Sequence, residues 1–422
     1  MKALSYEYVF HVTILLSFFL SLKILLSLTK GDHDGARTRR VFKEVKVVLC
    51  GVGMPKKSMG WYHLTQLLER SDVTVTHLVE PFFVKLLRSA SSSTSTSTSS
   101  SSSTSSSSSS SSSLPAPFKS FAEDMNRRGI VLCESLSEVP DLEPDTICLI
   151  AGRTQDNPSF FEQCLDKGCK TIYLEKPGAP DVQTLTRMRD LAASRTIPCK
   201  VYLGYNKNVT KYVREAMGFS SSLPGAGHLE FVHNNSYQDS EESLGECFER
   251  NSEGILKNMA IHELALLVSF FGIRESTVRS IHVDRKETEL LELMGRKDFR
   301  KIRFTIESLS GVRVSVKADR CGGDVSTAIV RSPKSLKEVK RFNIPKDKKE
   351  EEEMKKKCLA DPEMMPYFFS NSEDYWVLKD RVISALKSDE TAEGVATIDV
   401  AIEALRLAEF VTVNIQYQLA NK

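Results

Sequence analysis

Between residues 45 and 208, short apolar runs alternate with stretches of helical spacing. Residues 45–50, VKVVLC, are apolar almost throughout, the pattern of a parallel strand buried on both faces. Gly51-Val-Gly53 follows at once, and WYHLTQLLER after Gly60 has helical spacing. Residues 72–79 predict a second strand and 145–151, DTICLIA, another. Residues 159–167 predict a helix that Gly168 closes. A strand over 171–177, a helix over 182–194 and a strand over 199–203 complete the series. Strands that alternate with helices in this way predict an α/β fold with a doubly wound parallel sheet.

After residue 208 the texture changes, and strands dominate at 228–233, 277–283, 301–307, 312–317 and 328–331. Between them, residues 254–271, GILKNMAIHELALLVSFF, predict one continuous apolar helix. Residues 373–386 and 396–417 predict two more helices. The second has a stripe through Val400, Leu407, Val411 and Ile415 that should dock on another element.

Three segments stand outside this pattern. Residues 9–28 are apolar and long enough to span a bilayer. They predict an uncleaved anchor, with a signal peptide as the rival reading. Arg37, Arg39, Arg40, Lys43 and Lys46 follow, and this excess of positive charge places the body in the cytosol, with the secretory lumen as the alternative. Residues 89–113 are nearly pure serine and threonine, which predicts a disordered insertion. Residues 346–357 carry EEEE before KKK, a solvated helix or tether. The expected divisions are 1–40 for anchor and linker, 41–206 for the dinucleotide-binding domain, 207–370 for a substrate domain and 371–422 for C-terminal helices.

Composition removes several function classes. With 57 basic and 55 acidic residues the net charge is +2, so no broad basic field points to nucleic acid. Nine cysteines are scattered without a CxxC or zinc spacing, so no metal site is expected. Cys50, Cys148 and Cys199 lie in or beside apolar runs, which suits a reducing compartment.

The candidate chemistry begins at residues 171–177, TIYLEKP. Lys176 ends a strand of an open α/β sheet, where such folds bind ligands. Taken alone, a strand-end lysine is more often a solvated surface residue. Gly51 and Gly53, with Gly60 late, match the turn that lets a dinucleotide pyrophosphate approach a helix N-terminus. The loop between Gly53 and Gly60 is four residues longer than the standard spacing, and Lys56 and Lys57 within it could contact phosphate. Glu80 closes the second strand, suits a ribose 2′-hydroxyl and repels a 2′-phosphate, which favours NAD while leaving NADP open. Asn258 and His262 lie four apart, on one face if the helix is continuous. A histidine on an apolar helix is more often a satisfied core residue.

Four stretches together resemble the glucose–fructose oxidoreductase/inositol dehydrogenase (Gfo/Idh/MocA) family. They are GVG…MGWYH at 51–63, LEKP at 174–177, GYNKN at 204–208 and GILKNMAIHELALLVSFFG at 254–272. GVATIDVAIEALRLAE at 394–409 resembles the family's C-terminal helix, and the likeness covers roughly residues 45–420. The resemblance implies a Rossmann domain followed by an α/β domain with an open, mostly antiparallel sheet. It implies hydride transfer between NAD or NADP and a sugar, cyclitol or related polyol. Lys176 falls on the family's lysine beside the nicotinamide, and His262 on its helix histidine. Asn258 stands where the family usually has an aspartate, and residues 152–159 lack the histidine that often follows the fourth strand.

On this reading His262 is the general acid/base and Lys176 its partner on the substrate hydroxyl, with the opposite division open. Gly51, Gly53, Gly60, Glu80, Glu175, Lys176 and Asn206 form the cofactor set. Asn258, Tyr205, Asn235 and Tyr237 form the substrate set. Expected partners are a polyol, the membrane through the N-terminal segment, and a second copy through the C-terminal sheet, with no nucleic acid. A membrane-tethered dinucleotide-binding scaffold or sensor without turnover is the alternative from another class.

Overall fold

In the computed structural model of the chain, residues 44–93, 114–225 and 227–421 are described. The anchor expected over 9–28 lies outside them. Among the described residues no helix is long and apolar enough to cross a membrane.

The first half forms β1 (Val45–Cys50), α1 (Met59–Leu68), β2 (Val73–Val79), α2 (Pro81–Ser93), α3 (Ala116–Arg127), β3 (Val131–Cys133), β4 (Thr146–Ile150), α4 (Asn157–Asp166), β5 (Thr171–Leu174), α5 (Val182–Ala193) and β6 (Lys200–Leu203). Its six strands pair in the order β3-β2-β1-β4-β5-β6, and every pairing is parallel. This is the doubly wound order of dinucleotide-binding sheets, with the ligand crevice expected where the order reverses between β1 and β4. The all-apolar reading of these strands holds because helices bury both faces of the sheet. β4 and β5 are buried at every position.

The second half forms α6 (Lys211–Ser222), β7 (His228–Ser236), α7 (Glu241–Arg250), α8 (Ile255–Asn258), α9 (Ile261–Phe271), β8 (Val278–Val283), β9 (Glu289–Leu293), β10 (Arg296–Ser308), β11 (Arg313–Asp319), β12 (Cys321–Arg331), β13 (Glu338–Ile344), α10 (Lys348–Ala360), α11 (Pro366–Ser370), α12 (Ser372–Ser388) and α13 (Ile398–Ala420). Its sheet runs β13-β12-β7-β11-β10-β8, with β9 on β10, and only β7 and β11 pair in parallel. The open, mostly antiparallel sheet is therefore present.

The last two helices join the halves. Tyr375, Leu378, Val382 and Ile383 of α12 share a core with Val45, Leu49 and Tyr62 of the first sheet's layer. Ala401, Leu405, Ala408 and Val411 of α13 share the other core with α9. The stripe expected through Leu407, Val411 and Ile415 is buried on that side, and only Val400 is partly open.

Three sequence expectations need correction. The serine tract does not begin as disorder, because α2 continues through Ser93. Strands β3, β9 and β13 carry little sequence signal, since β3 is three residues long, β9 is only half-buried, and β13 is mostly exposed with no clean alternation. The single helix over 254–271 is two helices, α8 and α9, broken at Met259–Ala260. Ala260 N bonds Ile255 O five residues back at 2.9 Å, a wide π-type turn that interrupts the i→i−4 ladder.

Gly60 shows why the glycine pattern includes a late member. A Cβ there would lie 2.0 Å from Gly51 O and 2.8 Å from Val52 Cα, both backbone atoms that have no room to give. The glycine lets α1 pack directly on the end of β1. Gly60→Ala should therefore destabilise the protein by about 1–3 kcal/mol through overpacking. Urea unfolding measures this, and unchanged stability would show that α1 does not press on that turn.

Candidate functional site

β5 delivers Glu175 and Lys176 to the C-terminal edge of the first sheet, where Pro177 follows through a cis peptide bond. Lys176 Nζ donates to the backbone carbonyl of Asn258 at 2.8 Å. In an unbroken helix that carbonyl would accept the amide of His262. The wide turn between α8 and α9 removes this bond and leaves the oxygen to the lysine. Burial lowers the Lys176 pKa, opposed by the charges of Glu175, Glu253 and Glu263.

His262 begins the first turn of α9 and is 2 % exposed. Its Nδ1 is buried with no partner among the described residues. Burial, then the positive charges of Lys176 and Lys207, holds its pKa well below the ordinary histidine value. The Tyr205 ring meets it edge-on at 5.9 Å, and the His233 ring stands 6.1 Å away. Behind it, Glu263 accepts from Lys207 Nζ and pairs with His233 Nδ1 at 3.2 Å. Burial raises the Glu263 carboxyl, but the Lys207 charge and then the contact with His233 outweigh it and keep the carboxyl below the usual carboxylate range.

Lys176, Asn258 and His262 line a single cavity of about 440 Å³ with Asn235 and Tyr237. That volume is within the roughly 300–1,000 Å³ of small-molecule sites. Lys57 and Met59 bound it from the glycine loop, and Met365, Tyr367 and Phe368 from the segment that follows α10. Five of the expected residues thus meet at one place.

The others stand apart from the wall. Tyr205 is fully buried behind His262. Asn206 is fully buried and donates to Asn371 Oδ1 at 3.0 Å. Asn258 does not point its side chain at His262, since its amide donates to Glu253 Oε1 at 3.0 Å. The one-face relation expected of a continuous helix does not hold across the break.

Glu80 is 6 % exposed and accepts from Gly53 N at 2.7 Å, so it ties the glycine turn to the end of β2. Its carboxyl is raised by burial, against the amides of Gly53, Phe82 and Phe83. Ser58 Oγ accepts from Met54 N at 2.8 Å, which closes the long loop on itself. The segment after α10 lies on that loop: Lys56 Nζ reaches Asp361 at 2.9 Å, and Phe368 stacks on Tyr62 at 4.4 Å.

Sequence reasoning missed His233, which reads as an ordinary strand residue in FVHNN. It also missed a buried chain beneath Lys176. His63 Nε2 meets Glu175 Oε1 at 2.8 Å, and His63 Nδ1 meets Lys379 Nζ at 3.0 Å. Burial, then the charge of Lys379, pulls the His63 pKa down to about 4, against the pull of Glu175. Burial lowers Lys379 to about 7. The pattern MGWYH contained the histidine, but Lys379 comes from residues more than three hundred positions away.

His63 predicts an acid-side stability slope. The unfolded chain takes a proton near the ordinary value of 6.5, and the folded chain resists it until about 4. Stability should fall as pH drops through that window, by at most about 1.4 kcal/mol per pH unit from this group. His63→Gln should lose roughly 2 kcal/mol less than the native chain between pH 6.5 and 4.5. Parallel curves in urea unfolding would show that His63 titrates normally in the fold.

No family model matches the sequence, and no curated protein matches it. Solved structures do match in fold. A scyllo-inositol dehydrogenase from Lactobacillus casei with bound NAD(H) and scyllo-inositol has a TM-score of 0.60 at 10 % identity, over 88 % of this chain and 96 % of that one. A myo-inositol 2-dehydrogenase from Lactobacillus plantarum has a TM-score of 0.59 at 13 % identity, over 88 % and 98 %. A myo-inositol dehydrogenase from Corynebacterium glutamicum has a TM-score of 0.58 at 13 % identity, over 87 % and 96 %.

Proposed function

With the fold of the inositol dehydrogenases of the Gfo/Idh/MocA family as premise, we propose that this chain is an NAD-dependent oxidoreductase acting on the CH–OH group of a polyol. The observation that carries the reading is the convergence on one cavity, at the crevice edge of the first sheet, of Lys176 and a buried His262 whose Nδ1 has no partner among the described residues. The residues fit a nicotinamide there. Gly51, Gly53 and the N-terminal turn of α1 would hold the pyrophosphate, with Lys57 beside it. Glu80 at the end of β2 would face the ribose and disfavour a 2′-phosphate.

When bound, the cofactor accepts the hydride from the carbinol carbon. The chain supplies the rest. His262 is held neutral, the form that takes the hydroxyl proton. Lys176, fixed by the Asn258 carbonyl, orients the hydroxyl oxygen with its remaining N–H groups. Its charge also opposes protonation of His262 in the ground state. Glu263, anchored by Lys207, sets His233 on the cavity wall.

Lys176→Ala and His262→Ala should each lower kcat by roughly 10²–10⁴ in NAD-dependent polyol oxidation. The double variant should be little worse than the worse single one, because groups acting as a unit are non-additive. NADH affinity should change far less, and full additivity would separate the two residues. The acid limb of kcat/KM should lie below pH 6.5, since burial keeps His262 neutral to lower pH. Direct titration should find NADH bound more tightly than NADPH, and the reverse order would remove the role given to Glu80.

A dinucleotide-binding scaffold without turnover is the second reading. What favours it is the inward bonding of the glycine loop, whose Gly53 and Met54 amides already have acceptors. Tight NADH binding with no hydride transfer across a polyol panel would select it.

A further inference from the structure

The cavity wall is lined by more cationic side chains than carboxylates. Lys57, Lys176 and Arg250 line it, against one carboxylate, Asp324. That carboxylate is engaged, since Ser236 donates to it from N at 3.2 Å and from Oγ at 2.6 Å. The acids nearby face other groups. Glu253 takes the Asn258 amide, Glu263 takes Lys207 and His233, Glu175 takes His63 and Tyr173, and Asp239 pairs with Arg300. Asn258 itself brings no charge, and Lys176 donates to a neutral carbonyl. Burial holds both His233 and His262 below the ordinary histidine value, so neither adds charge at neutral pH.

Arg250 ends α7 and makes no ion pair among the described residues. Its guanidinium lies 6.0 Å from the centroid of the Tyr237 ring, which lines the same wall. Lys57 also makes no ion pair among the described residues, but it belongs to the glycine loop, where the cofactor's own phosphates would answer it. Arg250 arrives from the second half of the chain, beside Asn235, Ser236 and Tyr237 at the end of β7. Nothing in the cofactor reading accounts for it. A concave site lined by one sign of charge concentrates ligands of the other sign. A guanidinium fork matches the paired oxygens of a carboxylate or phosphate better than it matches neutral hydroxyls.

We propose that Arg250, backed by Tyr237, is an anion subsite and that the polyol oxidised in this cavity carries a carboxylate or a phosphate. The inference rests on the dehydrogenase reading for its substrate and on the cavity alone for its anion. It gives the neutral Asn258 a consequence as well, since a carboxylate at that position would repel such a ligand.

Calorimetric titration of the full-length protein with D-gluconate, D-glucose 6-phosphate and D-glucitol tests it, beside NADH titration and NAD-dependent oxidation of the same three. At least one anion should bind tenfold or more tightly than D-glucitol, and which one does so distinguishes carboxylate from phosphate. Arg250→Gln should remove that advantage, with D-glucitol and NADH affinities within about twofold of the native values. The proposal is overturned if neither anion binds better than D-glucitol. It is equally overturned if Arg250→Gln leaves the anions' affinities unchanged, or weakens NADH instead. Anion binding lost in Arg250→Gln but without hydride transfer would sustain the subsite and contradict the dehydrogenase reading. Oxidation of D-glucitol with no anion preference would do the reverse.

Discussion

One hydrogen bond joins the two chemistries of this fold. Lys176 stands at the end of a strand in the first sheet, and the Asn258 carbonyl that holds it belongs to the short helix α8 of the second half. The bond exists because the helical ladder fails between Asn258 and His262. A continuous helix would have used that carbonyl internally, and the lysine would then have had to find another acceptor or turn towards solvent. The same break sets His262 at the start of a new helix with Nδ1 unpaired. An irregular turn in one half thus places His262 and Lys176 together on the cavity.

Around this bond the charges form two buried layers. Lys207, Glu263 and His233 support His262 from behind. His63, Glu175 and Lys379 lie beneath the main chain of Lys176, whose amide faces Glu175 Oε2 at 3.3 Å. In the first layer the Glu263 carboxylate stands between Lys207 and His233, and in the second the His63 ring bridges Glu175 and Lys379, arrangements that make burial of a charge tolerable. The segment after α10 closes the cavity from the side of the glycine loop through Tyr367 and Phe368. Cofactor entry therefore has to pass an aromatic strap that already stacks on Tyr62.

Much of the first half was legible because β1, β4 and β5 are buried on both faces and leave nearly unbroken apolar runs between helical patterns. Lys176 and His262 were legible because each follows a strong element signal at a family-like position. The helix break was not, since ILKNMAIHELALL has no proline or internal glycine to mark it, and Gly254 at φ +88° lies before the run. His233, Lys379 and Arg250 were invisible for a different reason. His233 and Lys379 gain their places from partners far along the chain, and Arg250 from the fold of β7 beside α7, and neither strand alternation nor helix spacing encodes that. The strap after α10 follows a charged run that reads as solvent-facing, so the aromatic residues beyond it gave no sign of covering the glycine loop.

The central claim is that the cavity between Lys176 and His262 receives a nicotinamide. A crystal structure of the protein with NADH tests it most directly. The nicotinamide ring is expected in van der Waals contact with Lys176 and His262, and the pyrophosphate against Gly51, Gly53 and the first turn of α1. A dinucleotide bound elsewhere, or one whose nicotinamide end is shut out of the cavity by Tyr367 and Phe368, would contradict it.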